Sequence, residues 1–112
     1  MDAKECELRE YLKEDGSNPF QEWLSALKDV PTRARIRVRL NRIRTGNLGD
    51  CRSLGDGVHE FKISFGPGYR VYFGNDGPTV VLLLCAGEKK RQSRDIETAK
   101  RYWLDYCRRK VT

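Results

Sequence analysis

Apolar and polar residues alternate with a period of two from Glu60 to Phe73, broken only around Gly66-Pro67-Gly68. Successive side chains of a strand point to opposite faces, so the pattern predicts two short strands joined by a tight turn. His59, Phe61, Ile63 and Phe65 share one face of the first strand, and Glu60 and Lys62 share the other. On the second strand Tyr69, Val71 and Phe73 fall on one face, Arg70 and Tyr72 on the other. Glu60, Lys62, Arg70 and Tyr72 are therefore expected together on the less apolar side of one hairpin. A carboxylate, two cations and a phenol so placed suit a phosphodiester, with groups to hold charge and groups to move protons.

The remaining pattern predicts the elements around this hairpin. In residues 5–12, Cys6, Leu8 and Leu12 alternate with charges as in an edge strand, while the Glu and Lys content favours helix. The turn signal Asp15-Gly16-Ser17-Asn18 tips that reading to strand. Asn18 at a cap position, Pro19 at the first helical position and Gln21 three residues after the cap mark a helix start. Phe20, Trp23, Leu24 and Leu27 follow at helical spacing, and the helix is expected to end near Lys28. From Pro31 two periods compete. Arg33, Arg35, Arg37 and Arg39 alternate with apolar residues, but Ile36, Leu40 and Ile43 also recur at i, i+4 and i+7. The length of the segment, its arginine content, Pro31 at the start and Gly46 at the stop favour a helix.

Gly46, Gly49, Gly55 and Gly57, with Asn47, Asp50 and Asp56, predict a loop over residues 46–57. Asn75-Asp76-Gly77-Pro78 predicts a second turn, and Thr79 to Ala86 reads as a central strand covered on both faces. A basic loop from Gly87 to Arg94 precedes a final helix capped by Asp95 or Ser93. Ile96, Ala99, Trp103 and Tyr106 form the apolar face of that helix, and Arg108, Arg109 and Lys110 complement its C-terminal dipole. The expected fold is α+β: a small antiparallel-rich sheet, made of an N-terminal strand and a three-strand meander, packed with two N-terminal helices and one C-terminal helix.

Length and charge narrow the picture. The 112 residues suffice for one domain with one core, taken as residues 1–112. A formal charge of +6 favours an anionic partner, nucleic acid before membrane. No apolar run approaches a bilayer span, and the acidic, polar N-terminus has no secretory core, so a cytoplasmic location is the default. Cys6, Cys51, Cys85 and Cys107 form no CxxC pair, and the single His59 provides no zinc spacing. Free thiols and no bound metal or cofactor are expected.

Several segments together resemble the RelE/ParE toxin superfamily, closest to its HigB-like, phage-derived addiction module killer branch. They are Pro19-Phe20-Gln21-Glu22-Trp23-Leu24, Gly46-Asn47-Leu48-Gly49-Asp50, Gly66-Pro67-Gly68-Tyr69-Arg70 and Gly87-Glu88-Lys89-Lys90-Arg91-Gln92. The resemblance covers nearly the whole chain, and its specificity lies in the ordered set. It implies a RelE-like fold and the toxin half of a type II toxin–antitoxin module, with a cognate antitoxin protein as partner. Nuclease members cut messenger RNA on the ribosome without a metal. The 2′-hydroxyl attacks the adjacent phosphate and leaves a cyclic phosphate and a free 5′-hydroxyl. ParE-type members instead inhibit DNA gyrase and cut nothing, so fold alone does not decide between them. An inactive member that only binds RNA or its antitoxin is the third alternative.

The resemblance maps roles onto particular residues. Arg70 matches an arginine that holds the scissile phosphate, a task suited to a planar, bidentate guanidinium. Lys89 matches a second cation, a task Lys90 and Arg91 can share. Lys62 matches a strand lysine near the attacking hydroxyl, and Glu60 is the candidate base. Two positions depart from the pattern: Ser64 stands where a second strand lysine is expected, and Asp95 where the best-known nucleases have a tyrosine. Gln92 is a candidate RNA contact, with a bond to the loop backbone as the alternative. Arg37 and Arg44, within the arginine series from Arg33 to Arg44, are candidates for ribosomal RNA phosphates, against a solvated face or a seat for an acidic antitoxin segment. Tyr72, His59, Trp23 and Trp103 read as packing residues.

Overall fold

Strand β5 (Val80–Glu88) is the axis on which the other elements are hung. The computed structural model of the protein describes residues 5–111; residues 1–4, where the acidic N-terminal stretch begins, and residue 112 lie outside the described residues. The other elements are β1 (Glu7–Glu10), α1 (Pro19–Ala26), α2 (Val30–Arg44), β2 (Cys51–Gly55), β3 (Val58–Ile63), β4 (Tyr69–Asp76) and α3 (Gln92–Val111), the last entered through a 3-10 turn at Lys89–Arg91. The five strands form one mixed sheet in the order β1-β5-β4-β3-β2. β1 runs parallel to β5, and the other three pairings are antiparallel. The protein is therefore α+β, with α1 and α2 on one face of the sheet and α3 on the other.

The first helix starts as the sequence predicts: Asn18 Oδ1 accepts from the Gln21 amide at 3.0 Å, and Phe20 and Leu24 are buried. In α2 the helical period prevails over the alternating one. Ile36 and Ile43 reach the core with Leu40 against it, whereas Val38 stays 53% exposed. These side chains meet Phe61, Ile63, Val71, Phe73, Val81 and Leu83 in one core. On the opposite face Ala99 of α3, flanked by Ile96, Tyr102, Trp103 and Tyr106, packs on Val58, Tyr72, Leu82, Leu84 and Cys85. The apolar stretch of β5 thus serves both cores, as expected for a strand covered on both sides.

The sheet has five strands rather than the four expected, because the segment read as a loop over 46–57 contains β2. Its glycines belong to turns at the ends of an edge strand. Asp56 and Gly57, with φ of 55° and 86°, make the two-residue link to β3, and the pairing carries a bulge between Ser53 and Gly55. Asp-Gly between two pairing segments is a hairpin signal, obscured here by the surrounding glycines. The expected basic loop over 87–94 is also replaced: β5 runs to Glu88, and α3 begins at Gln92. Asp95 lies inside the first turn of α3 instead of capping it. β4 likewise continues through Asn75 and Asp76, where the sequence predicts a turn.

A second bulge, between Tyr72 and Phe73 of β4, changes the alternation of β5. Tyr72 pairs with Cys85 and Phe73 with Leu83, so Leu84 is the extra residue. Leu84 and Cys85 consequently both join the α3 core, while Val81, Leu83 and Ala86 face α1 and α2. Such a shift follows from pairing and not from hydropathy, because every residue involved is apolar.

Trp103 of α3 lies against bare backbone. A Cβ on Gly74 would stand 2.3 Å from Trp103 Cε3, and one on Gly57 2.4 Å from its Nε1. Gly74→Ala should therefore destabilise the fold by about 1–3 kcal/mol through overpacking. Urea denaturation checks it, and an unchanged midpoint would mean that the indole is free to withdraw.

Candidate functional site

The β3–β4 register sets Glu60 opposite Tyr72 and Lys62 opposite Arg70, so these four side chains share one face. That face is not the open polar surface its composition suggests. The start of α3 covers it, and Glu60 and Tyr72 have no exposure. Only the end of the hairpin is open. There Gly66 and Gly68 take left-handed φ values of 59° and 84°, and the Phe65 carbonyl accepts from the Gly68 amide at 3.0 Å. The Gly68 carbonyl in turn accepts from the Lys89 amide at 3.0 Å, tying the turn to the entry of α3. Lys62, Arg70 and Lys89 are thus drawn from three different segments to the rim of one cleft of about 470 Å³.

Arg70 is the distinctive member. It is 7% exposed, it lines the cleft, and its Nε and Nη1 are buried without a hydrogen-bond partner among the described residues. Buried polar groups are normally hydrogen-bonded, so the charge of this guanidinium at the edge of the cleft is only partly compensated by the protein. Its nearest carboxylate is that of Glu60, with Nη1 3.5 Å from Oε1.

Glu60 does not line the cleft. Its Oε1 accepts from Arg52 Nε at 2.6 Å, and Gln92 Nε2 donates to both oxygens, at 3.3 and 3.1 Å. A fully buried carboxylate occupied by an arginine and an amide, with a second arginine beside it, is placed to hold Arg70 in position. Glu60, the candidate base in the sequence, is thus buried and lies outside the lining of the cleft. Gln92 is likewise committed to Glu60 rather than to RNA or the loop backbone.

Other expected residues lie apart. Tyr72 is buried, its hydroxyl has no hydrogen-bond partner among the described residues, and desolvation raises its pKa, reinforced by the charges of Glu60 and Asp95. Asp95 is also buried, and desolvation raises its carboxyl pKa against the opposing pull of Arg91 and Arg94. It presses so closely on β5 that a Cβ on Gly87 would lie 2.1 Å from its Oδ2. Neither residue lines the cleft. Lys90 and Arg91 are exposed, the first 3.4 Å from Glu88 and the second 3.9 Å from Asp95, and they border a separate hollow. Arg37 and Arg44 border another hollow, beside β1. His59 stacks on Phe73 at 5.4 Å between ring centroids, in keeping with a packing role.

Nothing in the local sequence distinguishes Arg52. It pairs with Glu60 across β2 and β3, and only recognition of the Asp56-Gly57 hairpin would have placed it there. Arg35, Arg39 and Arg42, undifferentiated within the arginine series, face the hairpin rather than β1.

A protein of Haemophilus influenzae (strain ATCC 51907 / DSM 11121 / KW20 / Rd), described as an uncharacterized protein, is 46% identical over 81 residues, covering 72% of this chain and 82% of the relative. The chain belongs to the family of that Haemophilus protein. No family model matches the chain. This kinship leaves activity to be argued from the site.

The buried polar face can be probed by substitution. Glu60→Gln leaves Arg70 without its counter-charge and should cost on the order of 3 kcal/mol in urea denaturation. Arg52→Ala, whose side chain is 57% exposed, should cost under about 1 kcal/mol; equal losses would contradict the hub at Glu60. Because the folded state raises the Asp95 pKa, it binds that proton more tightly than the unfolded chain does. Its contribution therefore falls as pH rises from the ordinary carboxylate value to the raised one, and is flat beyond. Asp95→Asn should remove that decline, read as the difference between wild-type and variant unfolding midpoints across acidic to neutral pH.

Proposed function

We propose that the protein is the toxin of a type II toxin–antitoxin module, a RelE-like, ribosome-dependent endoribonuclease that cleaves messenger RNA. The observation that carries this reading is the convergence of Lys62, Lys89 and the under-bonded Arg70 on one cleft. A phosphodiester in the cleft supplies further counter-charge to the Arg70 guanidinium. Arg70 and Lys89 hold the phosphate and stabilise the extra negative charge that develops as it becomes five-coordinate. The 2′-oxygen forms the new bond to phosphorus and the bond to the 5′-oxygen breaks. The proton lost from the 2′-hydroxyl passes to water, the Lys62 ammonium stabilises the oxyanion that forms, and water returns a proton to the departing 5′-oxygen. Glu60 acts through Arg70, as a positioning residue. The net charge of +6 favours an acidic antitoxin segment as the neutralising partner.

Induction of the chain in bacteria, with 5′ ends of messenger RNA mapped within minutes, tests the reading. In-frame cuts on translated messages are expected. Arg70→Lys, which keeps the charge but loses the planar fork, should reduce cleavage by roughly a hundredfold or more. Growth arrest with intact messages and damaged DNA would overturn the nuclease reading in favour of gyrase inhibition, and absence of arrest would leave a binding role.

A further inference from the structure

The arginines of α2 form no continuous basic face in the folded protein. Arg37 and Arg44 turn to the β1 side, while Arg35, Arg39 and Arg42 border a groove of about 510 Å³ between α2 and the hairpin end. Ile63, Ser64 and Phe65 close its far wall, and the same three residues form part of the Lys62–Arg70–Lys89 cleft. The two hollows therefore adjoin across the Phe65 ridge.

Three features define what the groove accepts. The Arg35 guanidinium lies 4.1 Å from the centre of the Phe65 ring, and that of Arg39 lies 5.5 Å from the centre of Phe61. Arg35 and Val38, one turn apart on α2, are both exposed. Among the described residues, none of Arg35, Arg39 and Arg42 pairs with a carboxylate. Arg39 is half-buried, its Nη2 packed close to Gly49, and its Nε and Nη2 make no hydrogen bond among the described residues. A partly desolvated, uncompensated cation calls for an anion, and flat guanidinium–ring pairs provide stacking surfaces for bases.

We infer that this groove is a nucleotide subsite, taking single-stranded RNA that flanks the phosphate at Arg70. The inference rests on the nuclease reading of the neighbouring cleft and adds a residue-level path to it. Phosphates of the flanking strand meet Arg39 and Arg42, and a base lies on Arg35 above the Phe65 ridge. An acidic peptide would satisfy the charges but leave the flat faces unused, so RNA is the better match.

The test is fluorescence anisotropy at low salt with an octanucleotide carrying 2′-O-methyl groups, which cannot be cut by its own hydroxyl. A 2′-O-methyl dinucleotide and an abasic octanucleotide of the same length are the comparison probes. Arg35→Ala with Arg39→Gln should weaken octanucleotide binding roughly tenfold and lower the salt slope by about 0.7 for each phosphate no longer neutralised. Dinucleotide binding should be unchanged, and the abasic strand should bind the wild type more weakly than the normal one. Arg35→Ala alone, at an exposed position, should show the stacking loss should the double variant be unfolded. Wild-type octanucleotide affinity in both variants, equal binding of the abasic strand, or no octanucleotide binding by the wild type would each overturn the subsite. If Arg70→Lys weakens both probes while the groove variants weaken neither, the subsite falls and the cleft reading stands. If Arg70→Lys changes neither probe, the cleft reading itself loses its basis.

Discussion

The Glu60 carboxylate is the constraint around which this end of the molecule is organised. It is an ion without solvent exposure, and an isolated ion so placed would be far too costly to bury. The fold offsets that cost from three directions. Arg52 reaches it from the edge strand, Arg70 lies beside it on the neighbouring strand, and Gln92 donates from the first turn of α3. One carboxylate thereby ties β2, β3, β4 and α3 together. It also dictates where the Arg70 guanidinium sits, because that cation is nearly as deeply buried.

The cleft depends on the same arrangement. Arg70 directs Nη1 at Glu60 in a long ion pair, and neither Nη1 nor Nε makes a hydrogen bond among the described residues. Lys62 is carried there by strand register and Lys89 by the backbone bond from its amide to Gly68. A charged buried hub beneath an under-satisfied, cleft-lining arginine resembles the way binding sites hold a guanidinium rigidly before the ligand arrives. Close packing adds rigidity nearby: Gly87 leaves room for Asp95, and Gly74 for Trp103.

Much of this is legible in the chain. The period of two across residues 60–73 places Glu60, Lys62, Arg70 and Tyr72 on one face, and the register agrees. Helix starts are legible because caps are local: Asn18 and Pro19 act within one turn. The strand β2 is not, since its five residues carry apolar side chains only at Cys51 and Leu54, which sit on opposite faces of the sheet, and end on a glycine, so they show little periodicity. The shift of Leu84 and Cys85 to the α3 side is also invisible, because a bulge among apolar residues changes no hydropathy.

The sequence by itself determined the elements whose signals are local. These are the hairpin, the two N-terminal helices, the apolar central strand and the amphipathic C-terminal helix, together with the basic character that favours an anionic partner. Tertiary structure alone decided which polar residues stay in contact with solvent. Glu60 and Lys62 lie on the same face of one strand, equivalent in any pattern. α3 begins early enough to cover the first and leave the second at the cleft. That choice depends on where a helix starting 32 residues beyond Glu60 packs against the sheet, information that no local pattern at Glu60 contains.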